Sequence, residues 1–155
     1  MSSWQIALLI ALIVVAWLGF WISLLRLIAR LGGWRTLALA YPAPPLSPLD
    51  AHTQQSTALA IFRYQSVTLC RWVGYSGGVT FEVRREGLAL SVLAIIRPGH
   101  ATILIPWSQF TATPTTALGM QAVRLETERA PQIPLTLSAK LAAKLKAAAG
   151  ERWPS

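Results

Sequence analysis

Between Ile6 and Leu25 the chain reads IALLIALIVVAWLGFWISLL, twenty consecutive positions without a charge. A bilayer core needs about 20 apolar residues at about 1.5 Å rise each. A helix satisfies its own backbone there, whereas an open strand does not. The run therefore predicts a transmembrane helix. The flanks are asymmetric: Met1–Gln5 carries no Lys or Arg, while Arg26, Arg30 and Arg35 follow the span. Positive charge close to a span tends to stay cytoplasmic, so the N-terminus is expected outside and the rest inside. Trp4 is expected at one interface, Trp34 and Tyr41 at the other. The competing reading is a cleaved signal peptide, since Ala38-Leu39-Ala40 resembles a cleavage site. Against it stand the missing basic n-region, the length of the apolar run and the arginines that follow it. Ala7/Ala11 and Gly19/Ser23 are small-residue pairs of the kind that let two helices approach, so self-association through the span is one expectation.

The chain has 155 residues. Residues 1–31 read as anchor, 32–57 as interfacial helix and proline-rich linker, 58–150 as a β-rich cytoplasmic domain, and 151–155 as a tail. One core fits a domain of that length. Net charge is +8, and from Ala51 onward eleven Lys/Arg face five Asp/Glu. Such an excess beside an anionic leaflet draws the domain toward lipid. It does not predict nucleic-acid binding, because the basic residues are scattered and no recognition motif accompanies them. Cys70 is the single cysteine, so no intramolecular disulfide forms, and a buried inert thiol is expected.

The anchor helix should run to Leu31 and end at Gly32-Gly33, because glycine enters the left-handed cap at least cost. Trp34, Leu37, Ala38 and Tyr41 then share one helical face, which suits either the membrane interface or a lid on the domain. Pro42-Ala43-Pro44-Pro45-Leu46-Ser47-Pro48 predicts a stiff spacer. Short β segments follow: Phe62–Val73, Val79–Arg84, Leu88–Ile96, Ala101–Ile105, Met120–Glu126 and Ile133–Leu137. Gly74–Gly78, Glu86-Gly87 and Arg97–His100 read as turns or loops. Ser138 caps a closing helix over Ala139–Ala149, with Leu141, Leu145 and Ala148 as its apolar stripe and Gly150 as its stop. The fold class is thus a transmembrane helix plus a bent antiparallel sheet or small barrel of six or seven strands, closed by one amphipathic helix.

Gly74-Tyr75-Ser76-Gly77-Gly78 matches the letters of a nucleophile elbow, with His100 downstream as a base. An elbow needs a helix after it, and here a strand pattern follows; a glycine-rich hairpin turn accounts for the same residues. His100 follows Pro98-Gly99 and has Arg97 near; it is either a switch titrating near neutrality or a loop-holding side chain. His52 sits in the linker with no evident role. Two histidines and one cysteine at these separations make no metal site. Without a P-loop or dinucleotide motif no cofactor is expected. Arg84, Arg85, Lys140 and Lys144 are candidate contacts for lipid headgroups. Arg97, His100 and Trp107 are the candidate binding surface, because loops placed by a sheet often carry binding; Trp107 could equally fill the core.

The motifs Gly33-Trp34-Arg35-x-Leu37-Ala38-x-x-Tyr41-Pro42, Gly87-Leu88-x-Leu90-Ser91-Val92-Leu93 and Arg97-Pro98-Gly99-His100-x-x-x-Leu104-Ile105-Pro106-Trp107-Ser108 resemble a family of small bacterial membrane-anchored proteins of uncharacterised function. The resemblance covers roughly residues 31–110 and implies no catalytic residues. The strand ending Ile105-Pro106-Trp107 and the single C-terminal helix are similar to bacterial pleckstrin-homology-like domains. That resemblance implies a strongly bent sheet plugged at one end by Leu141 and Leu145. Function is therefore expected to be non-enzymatic: an interaction or scaffold module with a protein partner at the inner face of the membrane. Anionic headgroup binding is the alternative, and a small serine hydrolase using Ser76 a third reading.

Overall fold

A computed structural model of the chain describes residues 2–44, 58–70 and 73–154. His52 and all but the first three residues of the Pro42–Pro48 spacer lie outside them. Helix α1 spans Ser3–Leu31, 29 residues, and is long and apolar enough to cross a membrane. It ends where the glycine pair stops it. The Gly32 amide donates to the Ile28 carbonyl at 2.7 Å, and Gly33 takes the left-handed conformation at φ +76°. Gly33 is tightly enclosed. A Cβ there would come within 2.5 Å of Ile133 Cδ1 and 2.8 Å of Cys70 Sγ. No side chain fits, and the backbone conformation itself favours glycine.

Helix α2, Trp34–Ala40, turns back onto the β domain. Trp34, Leu37 and Tyr41 are buried, so of the two roles open to this amphipathic segment it takes the lid. Trp34 and Tyr41 accordingly anchor protein rather than a membrane interface. The chain then runs along the sheet: Pro42 bridges Ile103, and the Leu104 amide donates to the Tyr41 carbonyl at 3.2 Å. This start of the expected spacer pairs with the strand Ile103–Pro106 through one isolated bridge. An open strand edge with free N–H and C=O groups is satisfied by any extended neighbour.

Seven strands follow: β1 Ala58–Leu69, β2 Val73–Arg84, β3 Gly87–Val92, β4 Ile103–Pro106, β5 Phe110–Ala117, β6 Met120–Thr127 and β7 Leu135–Ser138. They form one antiparallel sheet in the order β4-β3-β2-β1-β7-β6-β5. Strands β4 and β5 stand at opposite ends of that order, yet only Trp107–Gln109 separates them in sequence. Three residues cannot cross a flat seven-stranded sheet with strands about 4.8 Å apart. The sheet must curl until its two edges approach, giving a half-barrel. Helix α3, Ala139–Ala149, closes it, with Leu141, Ala142, Leu145 and Ala149 turned inward. Its first turn is capped as the sequence implies, Ser138 Oγ accepting from the Leu141 amide at 3.3 Å.

Several strand assignments differ from the sequence pattern: the expected Phe62–Val73 strand is β1, Ala58–Leu69, with Val73 already in β2, and the last strand is Leu135–Ser138 rather than Ile133–Leu137. Gly74–Gly78 lies within β2 rather than forming a turn. Leu69 of β1 pairs with Val73 of β2, Cys70 is left-handed at φ +52°, and Gly77, at φ +63°, sits in a bulge. Between the pairs Gln65–Val79 and Val67–Tyr75, β1 advances two residues and β2 four. A left-handed glycine serves a bulge as readily as a turn. Strand β5 is absent from the pattern because Thr113-Pro114-Thr115 reads as loop; β5 is an edge strand, where proline costs no ladder bond. The Leu88–Ile96 segment breaks after Val92 into a 3-10 turn, Ala94–Ile96.

Candidate functional site

Two segments singled out in the sequence, around Trp34 and around His100, meet near the C-terminal end of α1. His100 is 3% exposed. Its Nδ1 lies 3.3 Å from the Pro98 carbonyl and its Nε2 2.9 Å from the Tyr75 hydroxyl. A carbonyl only accepts, so Nδ1 carries the proton and Nε2 accepts from Tyr75. The ring stands edge-on to Trp34 and to Tyr75, each at 5.4 Å between centroids. Trp34 Nε1 donates to the Ala101 carbonyl at 2.8 Å, which fixes the loop to α2. Burial pushes the His100 pKa below its usual value, with carbonyls of Pro98 and Ile96 opposing that shift. Burial, helped by negative charge at Cys70, pushes the Tyr75 pKa up to about 12. Both groups are therefore neutral near pH 7. The site ties α2 to the β3–β4 loop, and His100 presents no free face to a partner.

The remaining candidates separate. Trp107 is buried, its Nε1 donating to the Arg84 carbonyl at 2.9 Å, and it packs against Phe110 and Trp153. It lies in the core, at the seam where β4 passes into β5. Arg97 alone of the Arg97–His100–Trp107 set is exposed. Arg84 is also buried. Its Nε and Nη2 donate to the two Glu82 carboxylate oxygens at 2.9 and 3.1 Å, so its charge is used inside the fold and not offered to lipid. Arg85 is exposed in the β2–β3 turn, and Lys140 and Lys144 are exposed on α3. Ser76 is exposed on β2 with no helix after it, while His100 is engaged by Tyr75, so the elbow geometry is not formed. Cys70 is half-buried and its thiol pKa is raised by that burial, which favours the unreactive protonated form. Among the described residues no three His, Cys, Asp or Glu side chains gather as a metal site.

A groove of about 530 Å³ lies elsewhere, between β1, the β5–β6 hairpin and the start of α3. Tyr64, Leu118 and Met120 line it, and they are 66%, 97% and 67% exposed. Leu118 and Gly119 form a two-residue hairpin loop with φ of +50° and +75°. That is a type I′ turn, in which Asn-Gly is the favoured pair. Tyr64 too is left-handed, at φ +57° in a bulge of β1. Of the three non-glycine residues with positive φ among the described residues, two are thus large exposed apolar side chains on one groove. The left-handed conformation costs an L-residue about 1–2 kcal/mol. Sequence reasoning missed this surface because its residues come from positions about 55 apart, and an isolated exposed leucine carries no signal by itself. The Leu118-Gly119 dipeptide, a turn position filled by the wrong residue type, was the available hint. Comparison with known proteins adds no relative: no family model, curated protein or solved structure matches the chain.

Proposed function

We propose that the protein is a single-pass membrane protein of the bacterial inner membrane whose domain is a non-enzymatic interaction module. The arginines at 26, 30 and 35 favour a cytoplasmic domain and an outer N-terminus. The curled sheet closed by Leu141 and Leu145 accords with the pleckstrin-homology-like resemblance, though a fold of itself confers no activity. The observation that carries the reading is Leu118. A fully exposed leucine held in a strained backbone position, beside exposed Met120 and Tyr64, costs stability and solubility together. Strain that local packing does not require points to a function for the side chain that bears it. An apolar segment of a partner protein, seated in the groove, would cover all three.

The test uses a photo-crosslinking residue at position 118 of the full-length protein in its native membrane, compared with one at Lys144. The reading expects one discrete protein adduct at 118, absent at 144. Leu118→Asn should abolish the adduct formed from a crosslinker at Met120, while leaving thermal stability equal or higher, since asparagine suits the turn. Retention of that adduct in Leu118→Asn, or no protein adduct at either site, would remove the groove from consideration. The headgroup-binding alternative, reduced to Arg85, Lys140 and Lys144, predicts salt-sensitive binding of the protein's domain to anionic surfaces.

A further inference from the structure

The loop between β3 and β4 sits at a depth that α1 itself defines. The uncharged run ends at Leu25 and the first charge is Arg26. If α1 crosses the bilayer, as proposed above, twenty residues at about 1.5 Å rise use the full hydrocarbon thickness, so Arg26 stands at its boundary. The loop backbone touches α1 at this level. Gly99, at φ +84°, lies so close that a Cβ there would be 3.1 Å from Arg26 Cα and 3.4 Å from Ala29 Cβ. Residues 3–20 of α1 are exposed, Trp21, Ile22 and Leu24 are partly covered, and Leu25 and Ala29 are buried. Cover by the domain therefore begins just inside the end of the uncharged run.

Within the same loop the side chains divide. Ile96 turns inward, close to Gly78, and His100 is locked against Tyr75. Ala94, Ile95 and Arg97 point outward, with Ile95 69% exposed. Arg26 and Arg30 are exposed on the adjoining turns of α1. Among the described residues none of these three arginines has a carboxylate partner; the ion pairs present are those of Arg84 and Arg124. An exposed isoleucine and an exposed arginine on a loop whose Gly99 packs against α1 at Arg26 have the chemistry of an interfacial lipid contact.

We propose that the loop from Leu93 to His100 is a second membrane contact. Ile95 enters the boundary between headgroups and acyl chains, and Arg97, with Arg26 and Arg30, engages the phosphates of anionic phospholipids. The domain is then held by the bilayer at two points, the span and the loop, which fixes its tilt and directs the Leu118 groove in a constant direction. The inference rests on α1 spanning the membrane but not on the groove's having a partner.

Nitroxide labels on the full-length Cys70→Ser protein, placed singly at Ile95→Cys, Val14→Cys and Leu118→Cys in phosphatidylglycerol–phosphatidylethanolamine bilayers, test it. Collision rates with oxygen and with a water-soluble nickel complex separate lipid, water and protein contact. The ratio of oxygen to nickel collisions at 95 should exceed that at 118 several-fold and remain below that at 14. Arg97→Gln should lower the ratio at 95, and replacing the anionic lipid with phosphatidylcholine should do the same. A ratio at 95 equal to that at 118, with 14 in lipid, overturns the loop contact and leaves the span intact. Low rates with both reagents at 95 also overturn it, in favour of a protein contact. An aqueous label at 14 overturns the span and the loop contact together. Ala94→Cys, on the same exposed turn, repeats the measurement should the Ile95 variant misfold.

Discussion

His100 is neutral because of where its two nitrogens end. One is committed to a carbonyl and the other to a phenol, inside a wall formed by Trp34 and Tyr75. Charging the ring would leave a buried cation with no anion. Because the folded-state pKa is depressed, the unfolded chain binds a proton at a pH where the folded chain does not. The contribution of His100 is thus complete above about pH 6.5 and is lost as pH falls from there through the folded value. Melting of the micelle-solubilised protein between pH 7.5 and 5.5 should shift steadily downward on acidification, and the shift should shrink in His100→Gln. An unchanged melting temperature across that range would show that the ring charges without penalty. At the opposite end, Tyr75 loses its contribution as pH rises from 10 toward about 12.

At the scale of elements, α3 explains how a curled sheet stays shut. Its buried positions, Leu141, Ala142, Leu145 and Ala149, recur at helical spacing, and the opposite face carries Lys140 and Lys144 in water. Leu145 is 0% exposed, so Leu145→Ala should cost about 2–5 kcal/mol by leaving a cavity in the plug. Lys144→Ala should stay within about 0.5 kcal/mol, as surface changes do. Urea unfolding of the two variants side by side checks this; equal midpoints would mean that α3 does not close the core. Helix α3 and the end of α1 were legible in the sequence to the residue, because serine, glycine and an apolar period mark both ends. Strand β5 was not, because an edge position removes the penalty on proline that pattern reading relies on.

For the whole molecule the decisive point is the elbow at Gly32-Gly33. It converts a helix and a β domain into one body by packing backbone on Ile133, Cys70 and Val73. Gly33→Val would meet both a disfavoured φ and an occupied space, and α1 would have to re-aim. Spin labels at Val14 and Leu118 should give one narrow distance distribution in the parent protein and a broadened or displaced one in Gly33→Val. An identical distribution would show that the elbow does not set the direction of α1.

The sequence by itself determined the long apolar helix, its glycine stop, the antiparallel β character and the capped closing helix. Each of these rests on local periodicity or on a residue's own backbone preference. Only the tertiary structure decided that Trp34 and His100 face one another rather than a membrane and a ligand. It also placed Arg84 against Glu82, put Trp107 in the seam, and gathered Tyr64, Leu118 and Met120 on one groove. Apart from the Arg84–Glu82 pair, which lies along one face of β2, those outcomes depend on sheet curl and strand register, which bring together residues distant in the chain. No local pattern encodes a contact between side chains carried by elements far apart in the chain, such as Trp34 and His100.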